Sequence, residues 1–298
     1  KPPSQENEVA KVPVAISLTG KAFYETERSE KTQAKLDSNL QVAKRNFEVD
    51  PSEENYIWLG RREAYLSRYD HAIKIFTEGI GKYPKSYKLY RHRGHRYIST
   101  RKFDEAIKDF NKAVALMKDL PLEIEPDGQP NKINVPLSNT QFNVWYHLGL
   151  AYYLNWDFEN AARAYEECMT VSDNDDLVCA TTDWLYMTYR RLGEKEKADA
   201  LLERITEDMD IIENDSYFER LMMYKGLREP DHVLNIGPDN PDPDLALATQ
   251  GYGVGNWYLY NQDTARAKEI YRQVVSGKHF SAFGFIAAEA DLYWMEKN

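Results

Sequence analysis

The sequence predicts an all-α protein, a solenoid of about five to six helical hairpins with a capping helix at each end. Two observations carry this. Gly60 and Gly94, Tyr69 and Phe103, Ala72 and Ala106, and Phe76 and Phe110 each lie 34 residues apart. A third segment keeps the same internal spacing with Trp145, Leu148, Gly149, Tyr152, Phe158, Ala161 and Tyr165. A period of that length marks stacked helical units, none of which can bury its apolar face alone.

The elements follow in order. Residues 1–34 contain Pro2, Pro3 and Pro13, lack periodicity over the first stretch, and are expected to form an extended tether; residues 35–298 form one solenoid. Leu36, Leu40, Ala43 and Phe47 share a helical face before Asp50-Pro51, which predicts an N-terminal cap helix. Repeats are expected at 53–86, 87–120, 142–175 and 179–212, the last keeping Leu185, Tyr189, Gly193, Ala198 and Leu202. A degenerate fifth at 214–235 has Tyr217, Leu221 and Tyr224 on its first helix, and Glu229-Pro230 is expected to cut the second short. A sixth at 248–281 recovers the pattern with Gly255, Tyr258, Ala267 and Tyr271. Residues 282–298 read as an amphipathic cap, with Phe283, Ile286 and Ala290 on one side and Glu289, Asp291, Glu296 and Lys297 charged. Two stretches interrupt the array: an insertion at 121–141, rich in Pro and Gly, and a stiff acidic turn from Gly237 to Asp244.

The W-x2-L-G-x2-Y spacing of Trp145 to Tyr152, followed by Phe158, Ala161 and Tyr165, resembles the tetratricopeptide repeat family. The resemblance spans about residues 53–281 and implies a right-handed superhelix whose concave face is lined by fixed positions of each first helix. It implies a ligand-binding groove of Arg61, Tyr65, Lys88, Arg91, His95, Asn143, Tyr146, Asp183, Arg190, Tyr252, Asn256 and Tyr260, cationic in its N-terminal half and aromatic in its C-terminal half. A carboxylate clamp of the kind found in chaperone-binding members is not reproduced, because His95 and His147 stand where asparagines are required. The small residues of the motif are expected to mark the closest approach of the paired helices, glycine against alanine.

Composition narrows the function. The chain has 38 Lys+Arg against 48 Asp+Glu, a net charge of -10, so general nucleic-acid binding is not expected. No apolar run approaches the roughly 18 residues of a membrane span. Yet Lys82 to Lys102 carries four Lys, four Arg and two His without an acid, while Glu203 to Asp244 has twelve acids against four bases. The basic run can steer an anionic partner. Within it Lys82, Lys85, Arg101 and Lys102 read as solvated ends. Arg62, Glu63, Arg93 and Arg96 occupy positions normally apolar or small, which predicts a buried ion-pair network in which Glu63 compensates at least one arginine. One carboxylate cannot neutralise three guanidinia, so either further acids reach in or an arginine is left to bind an anion.

No constellation points to catalysis, a cofactor or a metal: His92 and His95 lack a third ligand, and Gly251-Tyr252-Gly253-Val254-Gly255 follows no strand. Cys168 and Cys179 read as buried free thiols. The expected function is a noncatalytic scaffold binding an extended acidic or carboxylate-bearing protein segment in the groove. The alternatives are a small organic-acid or sugar ligand in the same groove, and a hydrolase or transferase using His95 or His147. The opening stretch reads as a tether after a removed export signal. Segments such as His92-Arg93-Gly94-His95-Arg96-Tyr97 and Met209–Asn214 also resemble exported tetratricopeptide proteins of Gram-negative bacteria, which implies a periplasmic or envelope location, the alternative being cytoplasmic.

Overall fold

In the computed structural model, which describes residues 12–235, 237 and 242–297, the expected periodicity becomes paired helices. A cap helix α1 (Glu30–Val49) precedes α2 (Glu53–Tyr65) and α3 (Tyr69–Lys82). The next pairs are α4 (Tyr87–Ser99) with α5 (Phe103–Met117), and α6 (Thr140–Leu154) with α7 (Phe158–Thr170). Then come α8 (Asp175–Arg191) with α9 (Lys195–Leu201), and the short α10 (Asp215–Tyr224) with α11 (Pro230–Leu234). Finally α12 (Pro243–Ala246) and a π turn over Leu247–Gly251 lead into α13 (Tyr252–Tyr260), α14 (Thr264–Ser276) and the terminal α15 (Phe283–Lys297). Pro230 opens α11 rather than ending a helix, because the first helical position needs no N–H partner. Half of the acidic turn expected from Gly237 to Asp244, residues 238–241, lies outside the described residues, as do Pro2 and Pro3 of the expected tether.

The glycines of the period are set by rings. A Cβ at Gly60, Gly94, Gly149 or Gly255 would sit 2.3, 2.9, 2.7 and 2.6 Å from the rings of Phe76, Phe110, Tyr165 and Tyr271. The close contact is therefore glycine against an aromatic of the second helix, where a glycine–alanine contact was expected. Ala72, Ala106, Ala161 and Ala267 are fully buried beside it.

A second period is invisible in residue type. Two residues after each first helix, the chain turns through the left-handed region at Ser67, Arg101, Trp156, Gly193, Gly226 and Gln262, with φ between 59° and 76°. Side chains other than glycine pay a steric cost there. Arg101 and Trp156 occupy the position because they work elsewhere, as the ends of the molecule show.

Residues expected as an extended tether instead form a small hairpin, β1 (Ala15–Ile16) against β2 (Ala22–Phe23), before α1 begins at Glu30. The reason is the apolar Ala15 and Phe23, which are buried against the C-terminal end. Phe23 stacks on Phe280 at 4.8 Å and meets Phe285 edge-on at 5.7 Å. The Leu18 amide donates to Glu289 at 2.8 Å, and Arg101 pairs with the same carboxylate at 2.8 Å and donates to the Phe280 carbonyl at 2.7 Å. Arg101 is thus buried, not a solvated end. Arg28 reaches Ser67 at 2.9 Å, so the hairpin ties the last helix to the turns of the first two repeats.

Candidate functional site

The basic helix α4 starts at the Ser86 cap, whose hydroxyl accepts from the Leu89 amide at 3.1 Å. Lys88 and Arg91 follow three residues apart, on one face. The 121–141 insertion lies on that face. Its ends pair as an antiparallel bridge, with the Glu125 amide donating to the Ser138 carbonyl at 3.0 Å and the Thr140 amide to the Glu123 carbonyl at 2.7 Å. Extended backbone sends alternate side chains to opposite sides. Glu123 and Glu125 turn inward; Leu122 and Ile124 turn out, Ile124 being 68% exposed. Glu123 pairs with Lys88 and accepts from the Tyr87 hydroxyl at 3.0 Å, and Glu125 pairs with Arg91 at 2.8 Å. Further along, Arg61 donates to the Pro126 carbonyl at 2.9 Å and Arg62 to the Gly128 carbonyl at 2.8 Å. Gly128 presses so closely on Tyr65 that a Cβ there would overlap its hydroxyl.

Two connected hollows lie beneath this strap. The outer, of about 200 Å³, is bounded by Glu53, Trp58, Lys88 and Glu123, and shares Arg61, His92 and Glu125 with the inner. The inner, of about 90 Å³, adds Tyr65, Arg91, His95 and Arg96. Arg91 donates to the Nδ1 atoms of His92 and His95 at 3.3 and 3.4 Å. His95 packs on His147 with ring centres 4.5 Å apart, and His147 donates its Nδ1 proton to the Asn143 carbonyl at 2.6 Å. Burial, with cationic neighbours adding to it, holds His92, His95 and His147 well below the ordinary imidazole range, so all three are neutral at pH 7. Burial brings Arg96 down to about 10, which leaves it charged.

The C-terminal half of the expected groove is not an open surface. Two helices fill it, α10 and α15. Tyr146 donates to the Tyr217 hydroxyl at 3.1 Å, and Asp183 is fully buried against Arg220, whose Nε lies 2.9 Å away. Gly253 makes room for that guanidinium: a Cβ would lie 2.3 Å from its Nε. Phe283 of α15 sits 5.5 Å from the His95 ring and 5.4 Å from His147. Asp291 accepts from Trp156 at 2.7 Å, from Tyr252 at 2.9 Å and from Arg191 at 3.0 Å. Asn256 is fully buried and donates to Tyr153 at 2.9 Å. Tyr260 packs under Arg190 at 4.3 Å, while Asn143 donates to Ser138 at 3.0 Å. The predicted residues therefore divide. Arg61, Tyr65, Lys88, Arg91 and His95 converge on the strap and its hollows; Tyr146, Asp183, Tyr252 and Asn256 belong to the packed interior.

The expected ion-pair network is also rearranged. Glu63, 1% exposed, faces Lys44, Arg68 and His71 at 3.8, 3.3 and 3.3 Å, and pairs with none of Arg62, Arg93 or Arg96. Its position turns it toward α1 and the start of α3, away from the groove. Arg93 instead forms a bidentate pair with Asp109, both bonds 2.7 Å. Sequence reasoning missed Glu123 and Glu125, which an acidic–apolar alternation from Leu122 to Glu125 could have signalled. It also missed Glu289 and Asp291, whose flanking apolar residues hide the fact that both are buried. Cys168 and Cys179 are buried free thiols, each pushed up to about 12 by burial.

This architecture defines a helical-repeat scaffold, a class built to present surfaces to other proteins. Residues 87–118 and 142–175 match the tetratricopeptide repeat family, so the chain contains tetratricopeptide repeats. The fold is similar to that of a tetratricopeptide repeat protein from Parabacteroides merdae, at 12% identity and a TM-score of 0.50, covering 86% of this chain and 94% of that one. It is also similar to YrrB, described as a TPR protein with an unusual peptide-binding site, at 13% identity, TM-score 0.45, and 85% and 99% coverage. MamA matches at 16% identity and TM-score 0.44, covering 67% of this chain and 90% of its own. No curated protein sequence matches the chain. Among the described residues, no helix is long and apolar enough to cross a membrane.

Proposed function

We propose that the protein is a noncatalytic scaffold that binds an extended acidic segment of a partner protein on the α4 face, in place of its own 121–141 strap. One observation carries this reading: the chain already seats such a segment there, with Glu123 held by Lys88 and Glu125 by Arg91. The recognition is backbone-extended and charge-matched. Alternate acidic side chains engage the helix, and the Arg61 and Arg62 guanidinia take main-chain carbonyls. The apolar side chains facing outward contribute nothing to this hold, so a partner needs acids at alternate positions rather than a particular apolar sequence.

The test is a synthetic peptide copying residues 121–130, titrated into a variant whose strap is shortened between residues 122 and 137. Asn139 must stay, because its side chain caps α6 by accepting from the Phe142 amide at 2.7 Å. Saturable binding that weakens with salt and is abolished by Arg91→Glu supports the reading. A shortened variant that is folded by circular dichroism and ignores the peptide overturns it. Export to the bacterial envelope belongs with this proposal and is tested by fractionating cells that express the tagged protein.

A further inference from the structure

The inner hollow is lined by more positive than negative charge. Arg61, Arg91 and Arg96 line it, and Glu125 is the acid among its lining residues. Glu125 is engaged by Arg91 at 2.8 Å. Arg61 spends one nitrogen on the Pro126 carbonyl. Arg96 has no ion pair and no side-chain hydrogen bond among the described residues, and its guanidinium lies over the Tyr69 ring at 5.7 Å. Guanidinium does not shed its proton in proteins, and Arg96, half-buried, keeps its charge at the hollow with no acid paired to it. The three histidines beside it are neutral, so they supply none.

The unmet hydrogen-bonding capacity is specific in kind. Arg91 Nε is a buried donor without an acceptor, and Glu125 Oε2 is a buried acceptor without a donor. The Tyr65 hydroxyl accepts from Arg61 at 3.5 Å, and its own proton has no acceptor among the described residues. A ligand satisfying this set needs a carboxylate for Arg96, Arg91 Nε and Tyr65, and beside it a hydroxyl to donate to Glu125. A cavity of about 90 Å³ admits a molecule of a few heavy atoms, since a single water needs on the order of 10–15 Å³. The outer hollow adjoins it at Arg61, His92 and Glu125.

We propose that the inner hollow is a binding site for a small hydroxycarboxylic acid, its carboxylate on Arg96 and Arg91 and its hydroxyl on Glu125. This site shares Arg61, Arg91 and Glu125 with the peptide face, but Lys88 lines the outer hollow and not the inner one. Planar guanidinium forks suit a carboxylate. The unpaired Glu125 oxygen then discriminates, because a buried acceptor left empty penalises the analogue lacking the hydroxyl.

Thermal unfolding of the full chain with matched acids provides the test: malate against succinate, and lactate against propionate, with inorganic phosphate as a further arm. At about a hundred times Kd the hydroxy acid should raise Tm by roughly 5 °C, with the deoxy analogue well behind at equal concentration. Arg96→Met should abolish the shift while melting no lower than the parent without ligand, since it removes an uncompensated charge. Should Arg96→Met fail to fold, Arg96→Gln, which also removes the charge and keeps a polar end, gives the same reading. Lys88→Glu should lose the acidic peptide and keep the malate response, so the two proposals fail independently. Equal shifts from malate and succinate, a larger shift from phosphate, an undiminished shift in Arg96→Met, or no shift with any acid at millimolar concentration would each overturn the assignment.

Discussion

Acidification from pH 7.5 to pH 5.5 should withdraw up to about 4 kcal/mol of folding stability at three histidines around one hollow, offset in part by Asp183, whose carboxyl is raised by burial to about 6. His92, His95 and His147 all have folded pKa values well below the unfolded value of 6.5. The first cause is burial; the second is charge from Arg91, Arg96 and, for His92, Arg61, with Glu125 the acid facing them. The sign follows. Below pH 6.5 the unfolded chain binds protons that the folded chain refuses, so stability is lost as pH falls through 6.5. One pH unit below that value, each histidine costs up to about 1.4 kcal/mol, and three together up to about 4 kcal/mol. For a chain of 298 residues this lowers Tm by roughly 6 °C. Urea unfolding at closely spaced pH values measures it. His147→Phe, which keeps the stack on Phe110, should remove about a third of the slope, and so should His95→Phe. A wild-type stability flat over this window, or slopes identical in both variants and the parent, would refute the reasoning.

Two further outcomes are expected. Asp291→Ala leaves Arg191, Tyr252 and Trp156 without their shared acceptor and should destabilise by about 3–5 kcal/mol in urea; a loss under about 1 kcal/mol would mean that α15 is not held by this carboxylate. Cys168 and Cys179, buried and with thiols pushed up to about 12, should resist a thiol reagent at neutral pH until the protein is unfolded, and rapid labelling of either in the native state would contradict their placement.

The hairpin period was legible because it is written in residue size. Gly60, Gly94 and Gly149 must be small under Phe76, Phe110 and Tyr165, and no side chain can substitute for that space. The basic run on α4 was legible for a similar reason, since charge is carried by residue type alone. The turn residues were not: Ser67, Arg101 and Trp156 share a backbone conformation and no chemistry. Nor was the fate of the groove. Fixed positions of each first helix face the concave side, but whether that side is empty depends on which later helices pack into it, here α10 and α15.

Sequence alone thus determined the class of fold, the length of its period and the location of a positive charge excess, because local sterics and residue identity suffice for each. Tertiary structure alone decided what covers that charge. Glu123 and Glu125 lie more than thirty residues from the cations they meet, and Asp291 lies 100 residues from Arg191. Pairings at such separation follow from the path of the chain, with no local periodicity to announce them. The same path brings a hairpin from the first repeat's side against the last helix, seals the aromatic half of the groove, and leaves Arg96 facing a small hollow without a counter-charge.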